Sequence, residues 1–288
     1  VEQAIEGCDD VAVRADCESQ AALLYSMSGL IDRAQHHYEL SLVDAWSSGD
    51  DRVLLRALSG TYPILTHPRD QMRREALAAE LLALADRLDD DDGRFSALHL
   101  YFAVQVIGAD PLVRTTFRHE EHLAQRLHSA SRRWMLSYHR ACLAHIDGRL
   151  DDALEIAEDA YATAPVAPSR AEAERWMTYL LVRFAQGRAA ELAADVDAAI
   201  ASQPGLPGWR AVAAWVAACS GDRDRVITEC EALDDGAGLP EDMTWSAAAM
   251  LLARAAAAVD HTEALAPLRD LIAPYTGTFS WYGSGTVG

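Results

Sequence analysis

At 288 residues the chain exceeds a typical single core of ~100–150 residues, a length that stacked repeats can carry without a second domain. Half of the residues are apolar and 24% are charged, which excludes an intrinsically disordered chain. The net charge of −19, with arginines interleaved among carboxylates, argues against direct nucleic-acid binding, because phosphate contacts need clustered cations.

Lysine and asparagine are absent, so all 25 basic residues are arginines. No Schiff base is possible, and a phosphate loop of the GxxxxGKS/T type lacks its lysine. The five cysteines, at 8, 17, 142, 219 and 230, include no CxxC pair. An odd count without a basic, apolar leader reads as reduced cytosolic thiols packed as small hydrophobes, and a cytoplasmic location follows. No apolar run approaches the ~20 residues needed to span a bilayer; the nearest, Ala247 to Val259, is interrupted by Arg254.

In chain order, turn signals divide the sequence into about seven antiparallel helix pairs. They run 11–27 with 31–46, 51–66 with 69–88, 93–107 with 110–129, 131–147 with 150–164, 168–186 with 188–203, 207–220 with 222–233, and 241–258 with 261–274. Val1 reads as already lying inside a helix. Leu77, Leu81, Leu84 and Leu88 form one amphipathic stripe, and Ala153, Ile156, Ala157 and Ala160 form another. Alternating strand patterns are missing, so the predicted class is all-α. Pro68, Pro111, Pro168, Pro207 and Pro240 stand at or just before expected helix starts, where a missing amide matters least. The acidic run Asp89 to Asp92 reads as a solvated loop, since it lacks the ligand alternation of a calcium loop.

Between Gly148 and Pro165 the sequence GRLDDALEIAEDAYATAP has small residues five and twelve positions after the glycine and a proline seventeen after it. Gly187 to Pro204 repeats that spacing, and degenerate copies begin at Gly29 and Gly221. Gly148, Gly187 and Gly221 lie 39 and 34 residues apart, close to the ~34-residue period of tetratricopeptide-type repeats. The prediction is a tetratricopeptide-like right-handed superhelix over residues 1–275, most regular from 131 to 233. Gly148 is expected to be left-handed at the end of its helix, with Ala153 and Ala160 packing closely on the preceding helix. Residues 276–288, rich in glycine, serine and threonine, read as an irregular tail and a truncation point, because a solenoid needs a polar terminal cap.

Three runs carry a family resemblance: RRWMLSYHRACLAHIDGRLDDALEIAEDAY (132–161), QPGLPGWRAVAAWVAACSGDRDRV (203–226) and LPEDMTWSAAAMLLARAAAAVDHTEALAPLRDLIAPYTG (239–277). Pro207, Trp209 and Arg210 match a P-x-W-R helix start, and Pro240, Asp242 and Trp245 a P-x-D-x-x-W start. Leu271, Pro274, Tyr275 and Gly277 match an L-x-P-Y-x-G ending. From about Arg69 to Tyr275 the chain resembles the C-terminal helical-repeat region of large bacterial signalling ATPases. These are LuxR-type transcriptional regulators and adenylate cyclases with an AAA (STAND) ATPase module. The resemblance implies a regulatory, protein-interacting arm whose partner is another protein or the ATPase module of the same polypeptide. It carries over no catalytic residue and implies no cofactor; a small-molecule inducer is the alternative partner.

Candidate sites read from the residues are few. His119, Glu120, Glu121 and His122, with His128 downstream, lack the HExxH spacing of zinc proteases and read as a solvated helix face, with no metal expected. His36 and His37, as sequence neighbours, point in different directions. The first helix of each pair is expected to line a concave groove. Counting back from the turn glycines places Met135, Tyr138, Cys142 and His145 there, then Glu174, Met177 and Leu181, then Ala211 and Trp215. Aromatics and methionine on such a surface suit capture of a peptide or a small molecule; the same side chains also suit inter-repeat core. No enzymatic constellation is present in the sequence, and the expected function is a regulatory scaffold, with an inducer sensor as alternative.

Overall fold

The computed structural model describes residues 5–287 apart from 6, 28–29, 61–63, 66, 167, 204–205, 243 and 283–284. The turn expected at Gly29, the proline at 204 and the helical reading of Val1 lie outside the described residues. The described chain is helical almost throughout, with fourteen α-helices. They are α1 (Val11–Met27), α2 (Ile31–Ser48), α3 (Asp51–Ser59), α4 (Gln71–Leu88), α5 (Asp91–Ile107), α6 (Val113–Leu127) and α7 (Ala130–Ile146). Then follow α8 (Leu150–Ala162), α9 (Pro168–Ala185), α10 (Ala193–Ser202), α11 (Gly208–Cys219), α12 (Arg223–Ala232), α13 (Trp245–Ala258) and α14 (Thr262–Ile272). None of these is long and apolar enough to cross a membrane.

The chain forms two compact units, one of residues 1–105 and 110–128, the other of 106–109 and 129–288. In the first, α1 to α4 pack in sequence around Tyr38, Leu42, Leu58, Leu81 and Leu84. The α4 leucine stripe is therefore the core face that its spacing predicts. Arg14 donates through Nε and Nη2 to both carboxylate oxygens of Asp44, at 2.7 Å each, and so clamps α1 to α2. A buried pair, His37 Nδ1 with Glu18 Oε2 at 2.5 Å, lies between the same helices. A second, His99 Nδ1 with Glu120 Oε1 at 2.9 Å, joins α5 to α6 beside the Phe102–Phe117 ring contact.

Of the acidic run, Asp89 and Asp90 form the turn between α4 and α5, whereas Asp91 and Asp92 already belong to α5. Asp90 accepts the amide of Gly93 at 2.8 Å, and α5 begins at Asp91. Asp86, Asp89 and Asp91 all accept from the Arg94 guanidinium, which their hydrogen bonds hold in its charged form. Gly93 sits inside α5 because a Cβ there would meet Leu55 at 2.9 Å and Ala85 at 3.0 Å.

In the second unit successive helices pack in order, and α11 also packs on α13. Ala153 meets Ala144 and Val182, and Ala160 meets Trp134 and Tyr138, so the small residues of α8 do seat it closely. One helix ending recurs. At Gly148, Gly187 and Gly221 φ is +73°, +70° and +73°. In each case the following amide reaches back to the carbonyl five residues earlier: Arg149 to Ala144 at 2.9 Å, Arg188 to Arg183 at 2.8 Å, Asp222 to Ala217 at 2.9 Å. This is a Schellman closure, in which left-handed backbone satisfies the orphan carbonyls of the last turn. The same closure ends α4 at Asp89 (φ +50°), α5 at Ala109 (φ +52°) and α13 at Asp260 (φ +53°) without a glycine, and from 109 to 260 the turns stand 39, 39, 34 and 39 residues apart.

The tail differs from the irregular segment expected. Ser280–Tyr282 and Gly285–Val287 pair antiparallel, with Trp281 opposite Thr286. The hairpin lies against α7, α9 and α13, and Ser280 donates its hydroxyl to the Ser246 carbonyl at 3.0 Å.

Candidate functional site

A half-open cavity of about 680 Å³ lies within the second unit, walled by α9, α10, α11 and the start of α13. On α9 the lining residues Glu172, Ala173, Trp176, Met177, Leu180 and Leu181 recur at helical spacing, so one face of that helix forms a wall. Asp195, Ala198, Ala199 and Ser202 of α10 face it, with Trp209 and Val212 of α11 and Ala247, Ala248 and Leu251 of α13 closing it. The volume falls within the ~300–1,000 Å³ of small-molecule sites.

Two tryptophans set its chemistry. Trp176 and Trp209 meet edge to face with centroids 5.0 Å apart, and Trp209 Nε1 donates to Gln203 Oε1 at 3.1 Å. That bond satisfies the one polar atom of the indole and fixes the ring plane, leaving an aromatic surface toward the cavity. Gly208 allows α11 to approach α13, since a Cβ there would meet Thr244 Oγ1 at 2.5 Å. Thr244 is held in turn: its amide and hydroxyl both donate to Asp242 Oδ1, at 2.7 and 2.6 Å. Burial pushes the Asp242 carboxyl above the ordinary carboxylate range, and these hydrogen bonds oppose the shift. The charged lining residues are Glu172 and Asp195, and none of the described lining residues is basic.

Compared with known proteins, the chain matches no family model, no curated protein and no solved structure.

Of the residues expected to line a groove, Met177 and Leu181 lie in the wall of this cavity. The remaining groove residues lie elsewhere. Tyr138 and Cys142 are closed into helix interfaces, at 6% and 0% exposure. Met135 packs partly buried against the Trp134–Tyr138 cluster. His145 has both ring nitrogens shut from solvent, and burial pushes its imidazole down from the ordinary value against a backbone hydrogen bond at Leu181. Glu174 is half-buried on α9 outside the lining, whose acidic member there is Glu172. Ala211 is fully buried, and Trp215 packs in the core beneath the Arg254 guanidinium, 4.6 Å from the ring centroid.

The groove count does not include Trp176 or Trp209. A usable signal existed, because they stand eleven and twelve residues before the turn glycines 187 and 221. The phrases themselves are structural. Arg210 donates to the buried Glu229 at 2.9 Å, and Trp245 stacks edge to face on Tyr275 at 5.5 Å. The pairs at His37 and Glu120 were hidden because burial is not local: His36 and His119 beside them are exposed.

Proposed function

We propose that this chain is a non-catalytic, tetratricopeptide-like helical-repeat arm of a larger signalling ATPase of the LuxR-type or adenylate-cyclase kind, and that it senses a small molecule. The recurrent Schellman turns at 109, 148, 187, 221 and 260 support the repeat reading. The observation that carries the sensor reading is the cavity faced by Trp176, Met177 and Trp209. Its apolar walls select a ligand with an aromatic or aliphatic body. Glu172 and Asp195 make a neutral or cationic polar end favourable and an anionic one unfavourable.

The test uses Nile red, a neutral apolar dye, with the intact chain. One dye per chain should bind with enhanced emission, and Met177→Glu should abolish the enhancement while leaving the helical circular-dichroism spectrum unchanged. Equal emission from wild type and variant would refute the cavity as a ligand site. Native mass spectrometry of chain purified from its host should then show a small adduct released on denaturation.

A scaffold reading has one observation in its favour, on the first unit. Leu40, Val43 and Trp46 of α2 are exposed at 37%, 55% and 51%, an apolar strip suited to a protein partner. Cross-linking in host lysate through a photo-reactive group at position 43 tests it; capture of no protein would remove it.

A further inference from the structure

Three ligand-type side chains converge away from the cavity, where α12 ends and α14 begins. Cys230, on the last turn of α12, is completely buried. Asp235 follows in the short turn Asp234–Gly236 with left-handed φ of +48°. His261 stands immediately before α14 and is 6% exposed. One ligand atom from each lies within 4.8 Å of the other two. The turn is pressed onto α14, since a Cβ at Gly236 would lie 2.7 Å from Leu268.

Two of the converging atoms are orphaned. His261 Nε2 and Asp235 Oδ1 are shut from solvent and have no hydrogen-bond partner among the described residues. At 3.9 Å they are too far apart to bond each other. Leaving buried polar atoms unsatisfied is unfavourable, and such groups in native proteins call for a partner. The other imidazole nitrogen is engaged: Nδ1 lies 3.2 Å from Glu263 Oε2. A carboxylate there keeps the ring proton on Nδ1, so the Nε2 lone pair faces Asp235 and Cys230. Carboxylates orient metal-bound histidines in the same way.

We propose that Cys230, Asp235 and His261 bind a divalent transition-metal ion, zinc above all. A mixed sulfur, oxygen and nitrogen set suits zinc and disfavours calcium or magnesium, which take oxygen ligands. Metal–ligand lengths of ~2.0–2.3 Å in a tetrahedron place ligand atoms roughly 3.3–3.8 Å apart, so His261 and Asp235 already stand near the required separation. A water or an outside ligand completes the fourth position. As the Sγ–metal bond forms, the Cys230 thiol releases its proton to solvent. Burial, aided by Asp235 and Glu229, otherwise keeps that thiol protonated. The bound ion ties the end of α12 to the start of α14.

The test begins with full chain stripped by EDTA and titrated with Co²⁺. One ion per chain should bind, with a thiolate-to-cobalt charge-transfer band and the intense visible absorption of a four-coordinate site. One equivalent of Zn²⁺ should displace both signals and raise the melting temperature. Cys230→Ser should abolish the charge-transfer band, and Asp235→Asn should weaken Co²⁺ at least tenfold. Asp235 is only half-buried, so that variant carries the test if Cys230→Ser loses its helical spectrum. Co²⁺ that binds without the thiolate band would overturn the proposal. So would binding that survives Cys230→Ser and is lost in a His119→Ala, His122→Ala double variant.

Discussion

The closure shared by six of the described helix ends makes an opposed pair of glycine substitutions informative. Ala109 holds φ of +52°, a conformation in which its Cβ crowds the neighbouring carbonyl at about 1–2 kcal/mol. Glycine removes that strain but loses roughly 0.4–1 kcal/mol more backbone entropy on folding. Ala109→Gly should therefore stabilise the chain by about 0.5–1 kcal/mol. Ala109 is exposed, so no packing is lost, and both closing amide bonds remain. Gly148→Ala is the mirror experiment: none of the described residues lies within 4 Å of a Cβ built there, so the backbone alone sets a loss of similar size. With an unfolding entropy of about 2.1 cal/mol/K per residue, each change amounts to roughly 1–2 °C in Tm. Calorimetry, with urea midpoints as a check on cooperativity, resolves this. If Ala109→Gly is the less stable protein, or if both variants shift in the same direction, the shared-turn account is wrong.

Gly208→Ala should destabilise by about 1–3 kcal/mol although alanine is normally the better helix former, because the added Cβ meets Thr244 Oγ1 at 2.5 Å; a neutral result in urea denaturation would mean that the α11–α13 contact is loose. Leu252→Ala, at a position fully buried in the α11–α13–α14 core, should lower stability by about 2–5 kcal/mol by the same measurement. Glu18→Ala leaves the buried His37 Nδ1 without its hydrogen-bond partner and should destabilise by about 1–3 kcal/mol, more than removal of an exposed arginine pair. Asp242 supplies a pH dependence. Its folded value is raised, so the folded state binds the proton more readily, and its stabilising effect is present at low pH and lost as pH rises through the raised value. Asp242→Asn keeps an acceptor for Thr244 and cannot ionise, so its stability relative to wild type should increase from the ordinary carboxylate range upward; a constant difference across pH would remove the burial argument.

Helix content, most helix boundaries and the left-handed Gly148 follow from the sequence alone, because apolar period, capping chemistry and the special freedom of glycine are local properties. The helix expected over 51–66, however, ends at Ser59, and the one expected from 188 begins only at Ala193. Locality also explains the errors. Gly108 stands one residue before the left-handed position, so the α5 turn at Ala109 carried no glycine signal. Asp91 and Asp92 read as loop because only the fold supplies Arg126 and the tight seat of Gly93 against Leu55. The tail gave no strand pattern because its hairpin rests on helices distant in sequence. Helical counting puts Met177 and Leu181 on the same face as Tyr138 and Cys142, and it cannot tell a cavity wall from a helix interface, since that depends on which neighbouring helix covers the face. Residue type and period are written into the chain and determined its helices. Burial, and with it the cavity at Trp176 and Trp209 and the convergence of Cys230, Asp235 and His261, was decided by the tertiary structure, because it depends on contacts between residues far apart in sequence.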